Sequence, residues 1–289
     1  MKFFSKKIIN KIFINLGYEI KKVANNDLRK TVDSPLSARY FLPQCTFWID
    51  LPLEKARLGR WFTCHSDSLN PFIVAAQSLQ NNQSSNAILE TLRDFSNSVE
   101  IKNAKEALGL ENASYFHPLT KLHPYAAVFP WHSQSPEERL AAELKSASEE
   151  NKLFRLDSSE SLWFHASTRK VEIEAERLHR TLSSINNKGF LFDKKNHIGA
   201  FIIAKGNDWR WAVSGGQHRV AALAVLNYTH CPVLVKSIIR REEVSNWPHV
   251  KSGLYGEKEA LQVFDRFFEA SPPPAFNDWR KKVREMNDL

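Results

Sequence analysis

Apolar residues three and four apart predict helices along most of this chain, and a shorter alternation around residue 210 predicts strands. Phe4, Ile8, Ile9, Ile12, Phe13 and Leu16 fall on one face of an N-terminal amphipathic helix that Gly17 ends. Residues 25–60 give only turns and the aromatic pair Phe47 and Trp48. Asn70 and Pro71 then read as the cap and first residue of a helix whose stripe is Phe72, Ile73, Ala76 and Leu79. Helices are expected over 87–95 and 104–108. Ser135-Pro-Glu-Glu138 is a capping box opening a charged, largely solvated helix to about Asn151. Val171, Ala175, Leu178, Leu182 and Ile185 mark the next amphipathic helix, with Gly189 as its stop. Short strands over 190–193 and 200–204, a turn at Lys205-Gly-Asn-Asp208 and a returning strand over 209–213 follow. After one more helix comes a β-rich run over 231–236. Ala260, Val263, Phe264, Phe267 and Phe268 mark another amphipathic helix, ended by prolines at 272–274, and a final basic helix is expected over 277–286.

This pattern predicts an α+β fold in four segments. A basic amphipathic helix occupies 1–24 and a mainly helical region 25–164. A small mixed α/β unit covers 165–240, and a helical extension 241–289.

Its centre is the stretch over 209–228, WRWAVSGGQHRVAALAVLNY. An aromatic strand ends in Ser214, Gly215 and Gly216, and Gln217, His218 and Arg219 lead directly into a helix. Glycine relieves the limits on φ, so the chain can turn sharply there. The first amides of a helix lack intrahelical partners and sit at the positive end of its dipole. With Arg219 alongside, whose guanidinium pairs bidentately with phosphate oxygens, this is a candidate phosphate or carboxylate site.

Composition narrows the picture in three ways. Over 289 residues there are only three cysteines, Cys45, Cys64 and Cys231, widely spaced and without CxxC pairing. That disfavours a disulfide framework or zinc knuckle and suits inert thiols in a reducing compartment. The net charge is +8, but Lys2, Lys6, Lys7, Lys11, Lys21 and Lys22 against Glu19 supply five of those charges within the first 22 residues. Elsewhere the charge is nearly balanced, so nucleic-acid binding is disfavoured. The same lysines interrupt any secretory core and fit an interfacial helix on an anionic membrane, with a helix packed on the body as the alternative. His117, His123 and His132, in a Pro-rich aromatic loop, lack metal-ligand spacing and read as structural, although that loop could wall a pocket.

The segment from about Lys170 to Ile239 resembles the ParB/sulfiredoxin superfamily. The likeness rests on Ser184-Ile185 with Gly189, on Gly216-Gln217-His218-Arg219 followed by Ala221 and Ala222, and on Pro232-Val233, in that order. It covers about a quarter of the chain. The resemblance implies nucleotide phosphate binding at the turn, by Ser214, Gly215, Gly216, Gln217, His218 and Arg219. The implied cofactor is ATP or another NTP, with Mg²⁺. Sulfiredoxins carry a catalytic cysteine where this chain has Gln217, and an amide cannot form the sulfur-linked intermediate. Chromosome-partition members have an arginine-rich turn and a helix-turn-helix, of which 241–289 shows no pattern. The whole-chain pattern is also similar to ParB-related proteins associated with bacterial surface-polysaccharide assembly. That similarity implies a cytoplasmic protein, peripheral on the inner membrane face, with a nucleotide or sugar-phosphate ligand.

The remaining branch is small-molecule kinases, in which a carboxylate activates a hydroxyl. Glu172 and Glu176 are one helical turn apart. Glu176 is the candidate base, its alternative being an i,i+4 pair with Arg180. His218 is the second catalytic candidate, its alternative a hydrogen bond that shapes the turn. Asp193 and Asp208 offer carboxylates to Mg²⁺ but equally fit turns, so no residue is assigned as a metal ligand. Three readings stand: an ATP-dependent phosphotransferase acting on a small molecule or sugar-related metabolite, a non-catalytic nucleotide-switched module on a membrane or DNA, and a scaffold whose turn is only structural. Oligomeric state is left open.

Overall fold

Five strands form one mixed sheet: β1 (Phe47–Pro52), β2 (Ala56–Arg57), β3 (Ile198–Lys205), β4 (Asp208–Gly215) and β5 (His230–Arg240). Their order is β1-β5-β3-β4-β2. This computed structural model describes residues 26–38, 40–41, 46–82, 86–110, 117–156, 160–164 and 166–287. The basic segment 1–24 and Cys45 lie outside them.

β3 and β4 are the antiparallel hairpin expected from the sequence, with Lys205 opposite Asp208 and Gly206 at φ +60° in the turn. A left-handed φ is what a two-residue hairpin turn requires, and glycine takes it without strain. β5 runs parallel to β3. The outer strands come from far upstream: β1 pairs antiparallel with β5, and β2 pairs parallel with β4. The sheet therefore crosses the boundary expected at 165, and the region before it contributes strands as well as helices. Ile202, Ile203 and Ala204 are consecutive and all buried. Successive side chains point to opposite faces, so both faces of this central strand are covered.

Among the described residues, seven longer helices surround the sheet: α1 (Pro71–Asn82), α2 (Ala87–Ser98), α3 (Pro136–Lys152), α4 (Thr168–Lys188), α5 (Gln217–Val225), α6 (Glu257–Phe268) and α7 (Asn277–Asn287). Their ends follow local chemistry. Asn70 Oδ1 accepts from Phe72 N at 3.0 Å, and the Ser135–Glu138 capping box closes at 3.2 and 2.9 Å. α4 ends where Gly189, at φ +72°, turns its amide back to the Ile185 carbonyl (2.8 Å). α1, α4 and α5 pack on one another, and α2 lies against α1 and α4. α6 sends Phe264 and Phe267 into an aromatic cluster with Phe129, Trp131 and Trp247. α7 docks through Trp279, fully buried, whose indole donates to the Leu69 carbonyl at 2.7 Å.

The strand expected over 190–193 does not form. Phe190 gives its amide to the Tyr228 hydroxyl (3.3 Å), Asp193 accepts from the Lys195 amide in a tight turn, and Leu191 faces solvent. No neighbouring strand offers that segment a hydrogen-bond ladder. Cys64 and Cys231 are buried, and burial pushes both thiols up, Cys64 to about 12, so neither is a ready nucleophile. Among the described residues no helix is long and apolar enough to cross a membrane.

Candidate functional site

The β4–α5 corner is built on one glycine rather than two. Gly216 caps α5 in the left-handed conformation, at φ +86° and ψ 31°. A Cβ there would sit 3.0 Å from Arg219 Nη2 and 3.3 Å from Ile198 Cγ1, whereas the same position on Gly215 meets open space. The left-handed conformation is one that side chains other than glycine adopt only at a cost. Val220 donates the first intrahelical bond, to the Gly216 carbonyl at 3.1 Å, so the amides ahead of it have no acceptor within the helix. A cleft of about 370 Å³ opens in front of them. Gly215, Gly216, Gln217 and His218 form one wall, while Lys170, Glu174 and Arg177 of α4 form another. The rings of Phe72 and Trp163 also line it.

The chemistry of that cleft centres on Glu174. His218 Nε2 lies 3.0 Å from one of its carboxylate oxygens, and Lys170 Nζ lies 2.9 Å from the other, with Arg177 Nη1 at 3.4 Å. The side chains of Glu174 and Lys170 are only 8% and 6% exposed, so this is an interior ion cluster. Lys170 also reaches Glu150 (3.3 Å) and Asn151 Oδ1 (3.2 Å), and Arg177 pairs with Glu150 as well. Burial alone would raise the Glu174 carboxyl. The His218 imidazole 3.0 Å away, followed by the Lys170 ammonium, outweighs it and holds the carboxyl at about 2. Glu174 is therefore ionised throughout the physiological range. Behind the cluster, the Asn151 amide donates to the Glu160 carbonyl (3.1 Å), and the Glu160 carboxylate accepts from Ser167 N (3.0 Å) and from the Ser167 hydroxyl. These bonds tie α3 to the start of α4.

The residues expected from sequence divide. Gly215, Gly216, Gln217 and His218 meet at the cleft, and Gln217 Oε1 finds no hydrogen-bond partner among the described residues. Ser214 lies beside them at the end of β4 and lines the adjoining cavity. Glu176 does not join them. It lies exposed on the outer flank of α4 and pairs with Arg180 at 3.5 Å, as the alternative reading had it. Glu172 pairs with Arg169 in the same way (3.0 Å). The carboxylate facing His218 is Glu174, and its signal was present in the sequence: Lys170, Glu174 and Arg177 recur at helical spacing beside the apolar stripe of α4.

Arg219 is also placed differently from the expectation. Its guanidinium donates to the backbone carbonyls of Asn196 and, at 3.0 Å, His197, bracing the chain that enters β3. It lines a separate cleft against the C-terminal half of α4. Asp193 and Asp208 form no metal pair. Asp208 pairs with Arg210 (2.6 Å) and Lys55 (3.4 Å) at the opposite end of β4, ~20 Å from the corner by strand rise. His117 and His123 cap short turns through Nδ1, accepting from Leu119 N (3.2 Å) and Tyr125 N (3.1 Å). His132 walls a cavity of about 630 Å³ that adjoins the corner cleft, with Gln217, Glu143 and Trp163 lining both.

No family model, curated protein or solved structure matches this chain.

Proposed function

We propose that this protein holds the phosphates of a nucleotide, ATP or another NTP, at the β4–α5 corner and transfers a phosphoryl group to a small hydroxyl-bearing metabolite. The observation that carries this reading is the amide end of α5 opening onto a cleft beside a buried carboxylate–imidazole pair. Side-chain charge there is not positive: Glu143, Glu150, Glu160 and Glu174 line the cleft against Lys170 and Arg177. The attraction for phosphate therefore rests on the helix end. Phe72 and Trp163 supply ring surfaces for a base within the same cleft. Mg²⁺ would arrive with the nucleotide: among the described residues no group of three metal-ligating side chains stands ready for an ion.

In its neutral form His218 carries its proton on Nε2, the nitrogen facing Glu174, and keeps its Nδ1 lone pair. That nitrogen takes the proton of the acceptor hydroxyl as the hydroxyl oxygen attacks the terminal phosphorus, and the bond to the departing nucleoside diphosphate breaks. Glu174 orients the ring and stabilises the imidazolium that forms. Calorimetric titration with ATP should give saturable heat for wild type and for Arg219→Ala, since Arg219 is committed to backbone. Nucleoside diphosphate formation across a metabolite panel should fall about a hundredfold or more in His218→Ala. Absence of saturable ATP or GTP binding in wild type ends the reading. Binding without transfer to any metabolite favours the nucleotide-switched module instead.

We also propose a peripheral membrane location through residues 1–22, on the strength of their six lysines and apolar face. The full chain should float with vesicles containing anionic lipid, and a chain lacking those residues should stay at the bottom of the gradient. Equal flotation of both would remove the tether.

A further inference from the structure

A second feature of the interior is unaccounted for by nucleotide binding. Arg60 lines the 630 Å³ cavity with its guanidinium over the Phe129 ring, 5.2 Å from the centroid. It makes no hydrogen bond or ion pair with any described residue. Arg57, the other arginine of that segment, donates to the Phe268 carbonyl at 3.0 Å and contrasts with it. Arg60 enters the cavity from a tight turn in which Gly59 and Arg60 both adopt left-handed backbone, at φ +57° and +79°, between the bridged residues Leu58 and Phe62. Trp163 lies flat over Gly59, so the turn has no room to swing away: a Cβ on Gly59 would come within 2.4 Å of that ring. Burial and the neighbouring Arg139 lower the guanidinium to about 10, which leaves it charged at neutral pH.

Two more polar groups stand at the same wall. His132 Nδ1 is buried without a partner, and burial with the two arginines pushes that ring to about 3, so it is neutral. Arg139 pairs with Glu143 through one terminal nitrogen, while its Nε is buried and unpartnered. Glu143 and Glu150 also line the cavity; Glu150 is taken by Lys170 and Arg177, so Arg60 and Arg139 stand against Glu143 and leave one positive charge at this wall. Trp61, Phe129 and Phe267 line the same cavity. Arg60 is only partly buried, and a guanidinium there that contacts no carboxylate is best completed by something negative.

We propose that this cavity binds a small molecule bearing a single carboxylate on an aromatic or apolar body, with the carboxylate seated on Arg60. One surplus charge matches a monoanion; a phosphate dianion would leave the opposite imbalance. Planar guanidinium suits planar carboxylate, and an apolar body fits the rings that line the rest of the cavity. The inference does not rest on nucleotide binding and is tested without nucleotide.

Benzoate, benzamide and benzyl alcohol serve as probes of one body with and without the charge, titrated into the full chain by calorimetry. Benzoate should bind wild type about tenfold or more tightly than either neutral probe, the scale of one charge-assisted hydrogen-bonded pair. Arg60→Gln should erase that preference while leaving the neutral probes unchanged. Arg60→Gly removes the guanidinium and suits the left-handed φ, so it should fold at least as well as wild type and also lose the preference. Equal binding of benzoate and benzamide by wild type, no saturable benzoate binding, or a preference that survives in Arg60→Gly would each overturn the proposal. ATP titration of the same variants keeps the two readings apart, since loss of the benzoate preference with ATP binding intact marks the Arg60 site alone.

Discussion

Glu174→Ala is expected to destabilise the protein by about 3–5 kcal/mol, more than any exposed acidic substitution, because it strands Lys170 beside His218 without the shared counter-charge. Replacing both Lys170 and Glu174 with apolar residues of similar volume should cost much less, since the charge and its partner leave together. Chemical denaturation of the single and double variants measures this directly, and an equal loss in both would contradict a buried ion cluster. The same pair sets an acid dependence. The carboxyl sits at about 2 in the folded chain and near its ordinary value when unfolded. Its stabilisation, about 3 kcal/mol from that difference, is complete above pH ~4.5 and is lost as pH falls from there toward ~2. Glu174→Gln should flatten denaturation midpoints in that window.

Trp279→Ala is the second large effect. The indole is fully buried, lies edge-on to Phe95 at 5.3 Å between centroids, and donates to the Leu69 carbonyl. Truncation leaves a cavity and an unmatched carbonyl just before α1, at a cost of about 3–5 kcal/mol. A thermal melt should fall by roughly 10 °C, with loss of protection in α7 and α1 under hydrogen exchange. Trp279→Phe keeps most of the volume and should recover more than half. If α7 were only loosely attached, both variants would melt with wild type.

How much the sequence disclosed follows from the range of each interaction. Caps and stops are local, so Asn70, the Ser135–Glu138 box and Gly189 could be read directly. The hairpin turned at Gly206 was equally legible. β1 was not: FWIDLP exposes Asp50 but buries Phe47, Trp48, Ile49 and Leu51, which blurs any alternation, and its partner β5 lies at the other end of the chain. The corner was visible because left-handed backbone before a helix calls for glycine, yet a sequence does not tell which of two adjacent glycines bears the constraint. Glu174 was overlooked since charge is ordinarily assigned to the wet side of a helix; only the matching positions of Lys170 and Arg177 betray an interior triad. Arg219 was misplaced for a similar reason. Its attraction to phosphate is a property of the residue type, whereas its two carbonyl partners are set by how the 190–197 segment crosses beneath it.

The strand order carries a consequence for synthesis. β1 emerges from the ribosome early, but its neighbour β5 is made only after most of the chain, and the central β3 lies between the two in translation. Until then, among the described residues, only Trp48 is paired, with Asn26 and Leu28, the edge that β5 will occupy has no ladder, and the apolar residues Phe47, Ile49 and Leu51 lack their final cover. A nascent chain stalled before residue 230 therefore presents a sticky ribbon, and chaperone engagement should be strongest over that interval and vanish once the last strand slots in.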